Sequence, residues 1–169
     1  MRRALLILAI LPLACDSASP DEAGVLPVPA PGKADAVASG LPMITEYSEP
    51  VVGNDKAIEL YNPLPFAVSM DACSVDVFFN GNAAPRRIAL EGMVLQPGGV
   101  GLVCHAAASL GACDVSSSNL SFNGNDAVAL RCDFGGPVPA TLDVIGVVGE
   151  NPGSDGWDVV EGSTTRDVT

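Results

Sequence analysis

Residues 121–130 read SFNGNDAVAL, and the tetrapeptide FNGN inside that stretch also occupies positions 79–82. Each copy sets Asn, Gly and Asn against an apolar run, VDVF before the first and AVAL after the second. Asn-Gly is a strong hairpin signal, because both residues tolerate the positive φ of a type I′ turn. The side-chain oxygens of Asn123, Asn125 and Asp126 also allow a second reading, as a Ca²⁺ site. A calcium loop of the D-x-[DN]-x-[DN]-G type closes on a bidentate Glu, and none follows at the required distance. The spacing therefore predicts structural turns, with Asp126 capping backbone N–H groups. The Ca²⁺ site remains the alternative.

Outward from these turns, short apolar runs alternate with turn signals. ITEYS (44–48), AIELY (57–61), VDVFF (75–79), RRIAL (86–90), VGLVC (100–104), AVALRC (127–132) and TLDVIGVV (141–148) are the expected strands. AIELY alternates with period two, Ile58 and Leu60 opposing Glu59 and Tyr61. Gly53-Asn54-Asp55, Asn62-Pro63 and Gln96-Pro97-Gly98-Gly99 supply further corners. With 18 glycines, 14 prolines and no long helical period, the chain reads as all-β. Seven or more short strands at this spacing predict an antiparallel β-sandwich. Only HAAASLGAC (105–113) offers a helical turn.

The N-terminus, MRRALLILAILPLAC, sets Arg2 and Arg3 before an apolar run from Ala4 to Ala14. That run is shorter than the roughly 20 residues of a membrane span and suits a signal-peptide core. Its end at Ala14-Cys15 resembles a bacterial lipoprotein signal, in which Cys15 is lipidated and becomes the new N-terminus. A secreted protein cleaved nearby is the other reading. Residues 16–40, DSASPDEAGVLPVPAPGKADAVASG, are rich in Ala, Pro, Ser and Gly and lack aromatics. Such a segment buries too little surface to offset its ordering entropy and reads as a flexible tether. The expected division is a signal peptide (1–14), a tether (15–40) and a β-sandwich domain (41–169).

Twenty acidic residues against eight basic give a net charge of −12. Without Arg2 and Arg3 the balance is about −14, which disfavours binding to nucleic-acid phosphates. Setting Cys15 aside leaves Cys73, Cys104, Cys113 and Cys132, an even number that suggests two disulfides with three connectivities. The eight residues between Cys104 and Cys113 suit a small closed loop, which leaves Cys73 for Cys132. One histidine and the lack of any C-x-x-C motif argue against structural zinc. His105 beside Cys104 is a catalytic pair only if that thiol is free. In GENPGSDGW (149–157), Glu150 and Asp155, with the adjoining Asp158, are candidate ligand contacts around a cation, and Trp157 either stacks on a sugar or peptide or packs against the sandwich.

The segments NDKAIELYNP (54–63), VFFNGN (77–82), SSSNLSFNGNDAVAL (116–130) and DVIGVVGENPGSDGW (143–157), in this order, resemble the lamin tail domain in its exported bacterial version. The resemblance spans residues 42–169 and implies an immunoglobulin-like β-sandwich. It also implies an accessory module, appended to hydrolases or carried by lipoproteins, that is not itself a catalyst. The family pattern runs on past Thr-x-Asp-x-Thr into a final segment, whereas TTRDVT (164–169) begins it and stops, so a shortened last strand or a truncated reading frame is expected. The functional expectation is a lipid-anchored envelope module that contacts a protein or a glycan, needs no cofactor and does not bind nucleic acid. A Ca²⁺-binding, hydrolase-associated accessory domain is the alternative.

Overall fold

The computed structural model describes residues 40–50, 53–160 and 163–164. The expected signal peptide (1–14), Cys15 and the expected tether up to residue 39 lie outside the described residues, as do residues 51–52, 161–162 and 165–169. The strands are β1 (Met43–Ser48), β2 (Ala57–Tyr61), β3 (Val68–Ser69), β4 (Cys73–Phe78), β5 (Arg86–Ala89) and β6 (Val94–Leu95). They are followed by β7 (Val100–His105), β8 (Val115–Ser117), β9 (Ala127–Cys132), β10 (Ala140–Ile145), β11 (Asp158–Val160) and β12 (Ser163–Thr164).

Two four-stranded sheets carry the fold, ordered β1-β2-β7-β8 and β10-β9-β4-β5, with β3–β6 and β11–β12 as separate two-stranded ribbons. Ile58 and Leu60 from the first sheet meet Val75, Val77, Ile88, Val128 and Leu130 from the second in one core. This is a β-sandwich, as the alternation predicts. In AIELY the two inward residues are fully buried, while Glu59 and Tyr61 are half-buried on the far face. Each fully buried Val, Leu, Ile or Phe contributes about 1.5–3 kcal/mol. One pairing departs from the antiparallel expectation. β8 runs parallel to β7, with Val103 opposite Val115. The connection that brings it back lies over the sheet and is stapled by the Cys104–Cys113 disulfide. Its expected helical turn is a single tight turn, Ala108 N–H donating to the His105 carbonyl at 2.9 Å.

The second disulfide joins Cys73 and Cys132, which face each other directly across β4 and β9. Both bridges thus follow the pairing that the spacing favours. Disulfides persist in oxidising compartments, so the chain belongs to an extracytoplasmic setting. Among the described residues no helix is long and apolar enough to cross a membrane.

The second sheet is covered on its outer face too, so that β4 is buried at all six positions. Phe78, Ala127, Ala129 and Trp157 form a second apolar cluster there, with Val144 and Val147 against it. Trp157 therefore packs over the face of the sheet and is not presented for stacking on a ligand. It fits because residue 146 is glycine, with φ +82°. A Cβ at this position would fall about 2.5 Å from the indole ring. Beside this cluster Asp76 is completely buried. It accepts hydrogen bonds from Ser74 Oγ at 2.8 Å, Arg87 Nε at 3.1 Å, Arg87 Nη2 at 3.2 Å and Arg131 Nη1 at 3.4 Å.

Asn62, at the end of β2, holds the opposite corner of the sandwich and is fully buried. Its Nδ2 donates to the carbonyls of Phe66 (2.8 Å), Leu95 (3.1 Å) and Gln96 (3.1 Å), and its Oδ1 accepts from Leu64 N–H at 3.0 Å. Its backbone N–H and C=O exchange bonds with Gly99 and Gly98, each at 3.0 Å. Removing this side chain leaves buried carbonyls without a donor, each costing about 1–3 kcal/mol. Asn62→Ala is expected to lose about 3 kcal/mol in urea unfolding.

Candidate functional site

β4 ends at Phe78, and the chain reverses through Phe79-Asn80-Gly81-Asn82. Asn80 sits at φ 50°, ψ 39°, Gly81 has φ 80°, and Asn82 N–H donates to the Phe79 carbonyl at 2.9 Å. Two successive positive φ values closed by this bond are the type I′ geometry that Asn-Gly predicts. The second copy is shaped differently. Gly124 is at φ 83°, but Asn123 is not in the left-handed region. Identical tetrapeptides thus make different turns, because the first follows a strand and the second precedes one.

Asp126 connects the two copies. Its Oδ1 accepts Asn80 N–H at 2.8 Å and its Oδ2 accepts Asn123 N–H at 3.1 Å, while only 1% of the residue is exposed. A third loop closes over them. Asn125 Nδ2 donates to Asn80 Oδ1 at 3.4 Å and to Asn151 Oδ1 at 3.3 Å, and Asn151 Oδ1 also accepts Gly153 N–H at 2.8 Å. Gly81 lies so near this loop that a Cβ on it would approach the Glu150 carbonyl carbon to 3.1 Å. The FNGN repeats and the GENPGSDGW loop, three separate signals in the sequence, therefore form one corner.

Of the candidate metal residues, Asp126 is engaged through both oxygens, Asn125 bridges loops, and the Asn123 side chain is exposed. Among the described residues no group of three His, Cys, Asp or Glu side chains is placed to hold a metal ion. Glu150 and Asp155 are exposed, the latter bonded to Ser154 Oγ at 3.1 Å, and they share the third loop with the buried Trp157. Cys104 is in a disulfide and carries no free thiol, and His105 Nδ1 accepts Ala107 N–H at 3.1 Å.

Burial raises the Asp126 carboxyl above its ordinary range, against the lowering effect of the two N–H bonds. The folded state therefore holds this proton more tightly than the unfolded chain does. The Asp126 contribution to stability grows as pH falls from neutral through the raised value, and is complete below the ordinary carboxylate range. Asp126→Ala is expected to cost about 2 kcal/mol at pH 7, since two backbone donors lose their acceptor. The same variant should remove this component from the profile of Tm against pH.

One cluster was not legible in the sequence. Phe122 is fully buried, stacks on Tyr47 at 4.4 Å and lies 5.4 Å from Lys56 Nζ. Glu49 accepts hydrogen bonds from Tyr47 OH at 2.9 Å and from Lys56 Nζ at 3.2 Å. Burial, followed by the nearby Glu49 charge, pushes the Tyr47 hydroxyl far above the usual phenol range, so it stays protonated. Tyr47 stands in the expected strand ITEYS, but no spacing ties it to Glu49 or Phe122. Lys56 carried no signal.

Compared with known proteins, the chain matches no family model and no curated sequence.

Proposed function

We propose that this chain is a non-catalytic, lipid-anchored protein of a bacterial envelope, whose β-sandwich serves as a structural or binding module for a protein or glycan partner. The observation that carries this reading is the use of Asp126, with both carboxylate oxygens spent on backbone N–H groups of the two FNGN turns. The most reactive-looking loops are thereby committed to holding one another. Two disulfides support export. The Ala14-Cys15 end of the apolar run supports lipidation, and the four lamin-tail-like segments support an accessory role.

Two measurements test the reading. Replacing Cys15 with Ser should move the protein from the membrane fraction to the soluble fraction, and unchanged fractionation would remove the anchor. Melting in Ca²⁺ and then in EDTA should give the same Tm. A specific site filled to about 100 times its Kd would add about 2.7 kcal/mol, a shift of several degrees, and would establish the Ca²⁺-binding alternative.

A further inference from the structure

The outer face of the first sheet carries a cavity of about 170 Å³ lined by Glu46, Ser48, Ala57, Glu59, Leu102 and Leu110. This is below the about 300–1,000 Å³ of small-molecule sites and matches the size of one long side chain. Its acidic pair results from a local irregularity. Regular pairing from Ile44↔Leu60 would bring Thr45 opposite Glu59, but a bulge between Ile44 and Glu46 puts Glu46 there instead. The bulge keeps both Ile44 and Tyr47 packed against the core and leaves Thr45 and Glu46 together on the outer face. Bulges re-aim side chains in this way beside functional sites.

Two like charges directly across a strand pair are destabilising, and nothing described neutralises these. Thr45 Oγ1 donates to Glu59 Oε1 at 2.7 Å, but the described cations are bonded elsewhere. Lys56 pairs with Glu49, Arg86 lies over Phe79, and Arg87 and Arg131 bond Asp76. The apolar wall is held in place. Leu110 lies within the Cys104–Cys113 loop, which Ser109 anchors to Asp55 through its N–H and hydroxyl.

We infer that this cavity docks a lysine or arginine side chain of a partner protein, with the aliphatic stem on Leu102 and Leu110 and the cation between Glu46 and Glu59. An aliphatic stem ending in one charge matches an apolar wall beside paired carboxylates, and the acidic surface steers such a segment in. This deepens the binding-module reading and rests on it.

The test is a titration of the full chain carrying Cys15→Ser, exported so that both disulfides form and followed by amide NMR shifts. The probes are acetyl-Ala-Lys-Ala-amide, its norleucine counterpart and CaCl₂. The lysine peptide should shift Glu46, Ser48, Glu59, Leu102 and Leu110 with saturation, and the norleucine peptide should not. E46Q/E59Q should weaken the lysine peptide at least tenfold while melting no lower than the parent, and Leu110→Ser should weaken it several-fold. Equal binding by norleucine, shifts spread over the whole acidic surface, unchanged affinity in E46Q/E59Q, or Ca²⁺ filling the same cavity would each overturn the inference. These outcomes are read without a membrane, so they are separate from a failure of lipid anchoring.

Discussion

Asp76→Ala is expected to destabilise the protein by about 3–5 kcal/mol, the largest loss from any single side chain outside the apolar core. The carboxylate is fully buried between β5 and β9 and is the shared partner of Arg87, Arg131 and Ser74. The two cations fare differently when it goes. Arg87 is 53% exposed and can return its charge to water. Arg131 is 20% exposed, so most of the penalty falls on it, although its Nη2 keeps the Pro139 carbonyl at 3.1 Å. A buried pair costs more when broken than when both members become apolar. Asp76→Leu combined with Arg131→Met should therefore recover at least half of the loss in urea unfolding. A double variant no more stable than Asp76→Ala would show that the charges contribute more than their mutual compensation.

Removing the Cys73–Cys132 bridge as a Cys→Ala pair is expected to cost about 4 kcal/mol, from the entropy of opening a 59-residue loop. For a domain of this size that corresponds to a Tm lower by roughly 15 °C. Opening the Cys104–Cys113 loop, with a separation of nine, should cost about 2.6 kcal/mol by the same relation. The two losses also differ in kind. Cys73 and Cys132 are opposed core residues of neighbouring central strands, so their loss weakens the sandwich as a whole. The shorter bridge holds the flap that carries Leu110, so its loss should loosen that flap and the start of β8. Calorimetry of the two variants checks the order; equal shifts would contradict it.

The sandwich was legible where apolar residues alternate over five or six positions between Asn, Gly and Pro corners. All seven expected strands form, AIELY and AVALRC with the expected ends and the others within three residues of them. β3, β6 and β8 are two or three residues long and carry no period. The parallel β7–β8 pairing depends on a stapled flap that local pattern does not encode. Asp76 was hidden for another reason. VDVF reads as a half-exposed strand until the third loop brings Trp157 over the outer face. At the corner, the first Asn-Gly is legible as a type I′ turn and Asp126 as a cap, whereas the second Asn-Gly carries the same signal and takes another shape. The reach of Asp126 across 46 residues to Asn80, and the meeting of Asn125 with Asn151, are tertiary contacts that no spacing announces.

One buried carboxylate, that of Asp126, welds the FNGN turns into an architectural corner. Residue-resolved amide hydrogen exchange tests it most directly. The amides of Asn80 and Asn123 should be protected in the parent chain, and Asp126→Ala should release both together while β2 and β7 keep their protection. Fast exchange of those two amides in the parent, or protection that survives the substitution, would contradict the account.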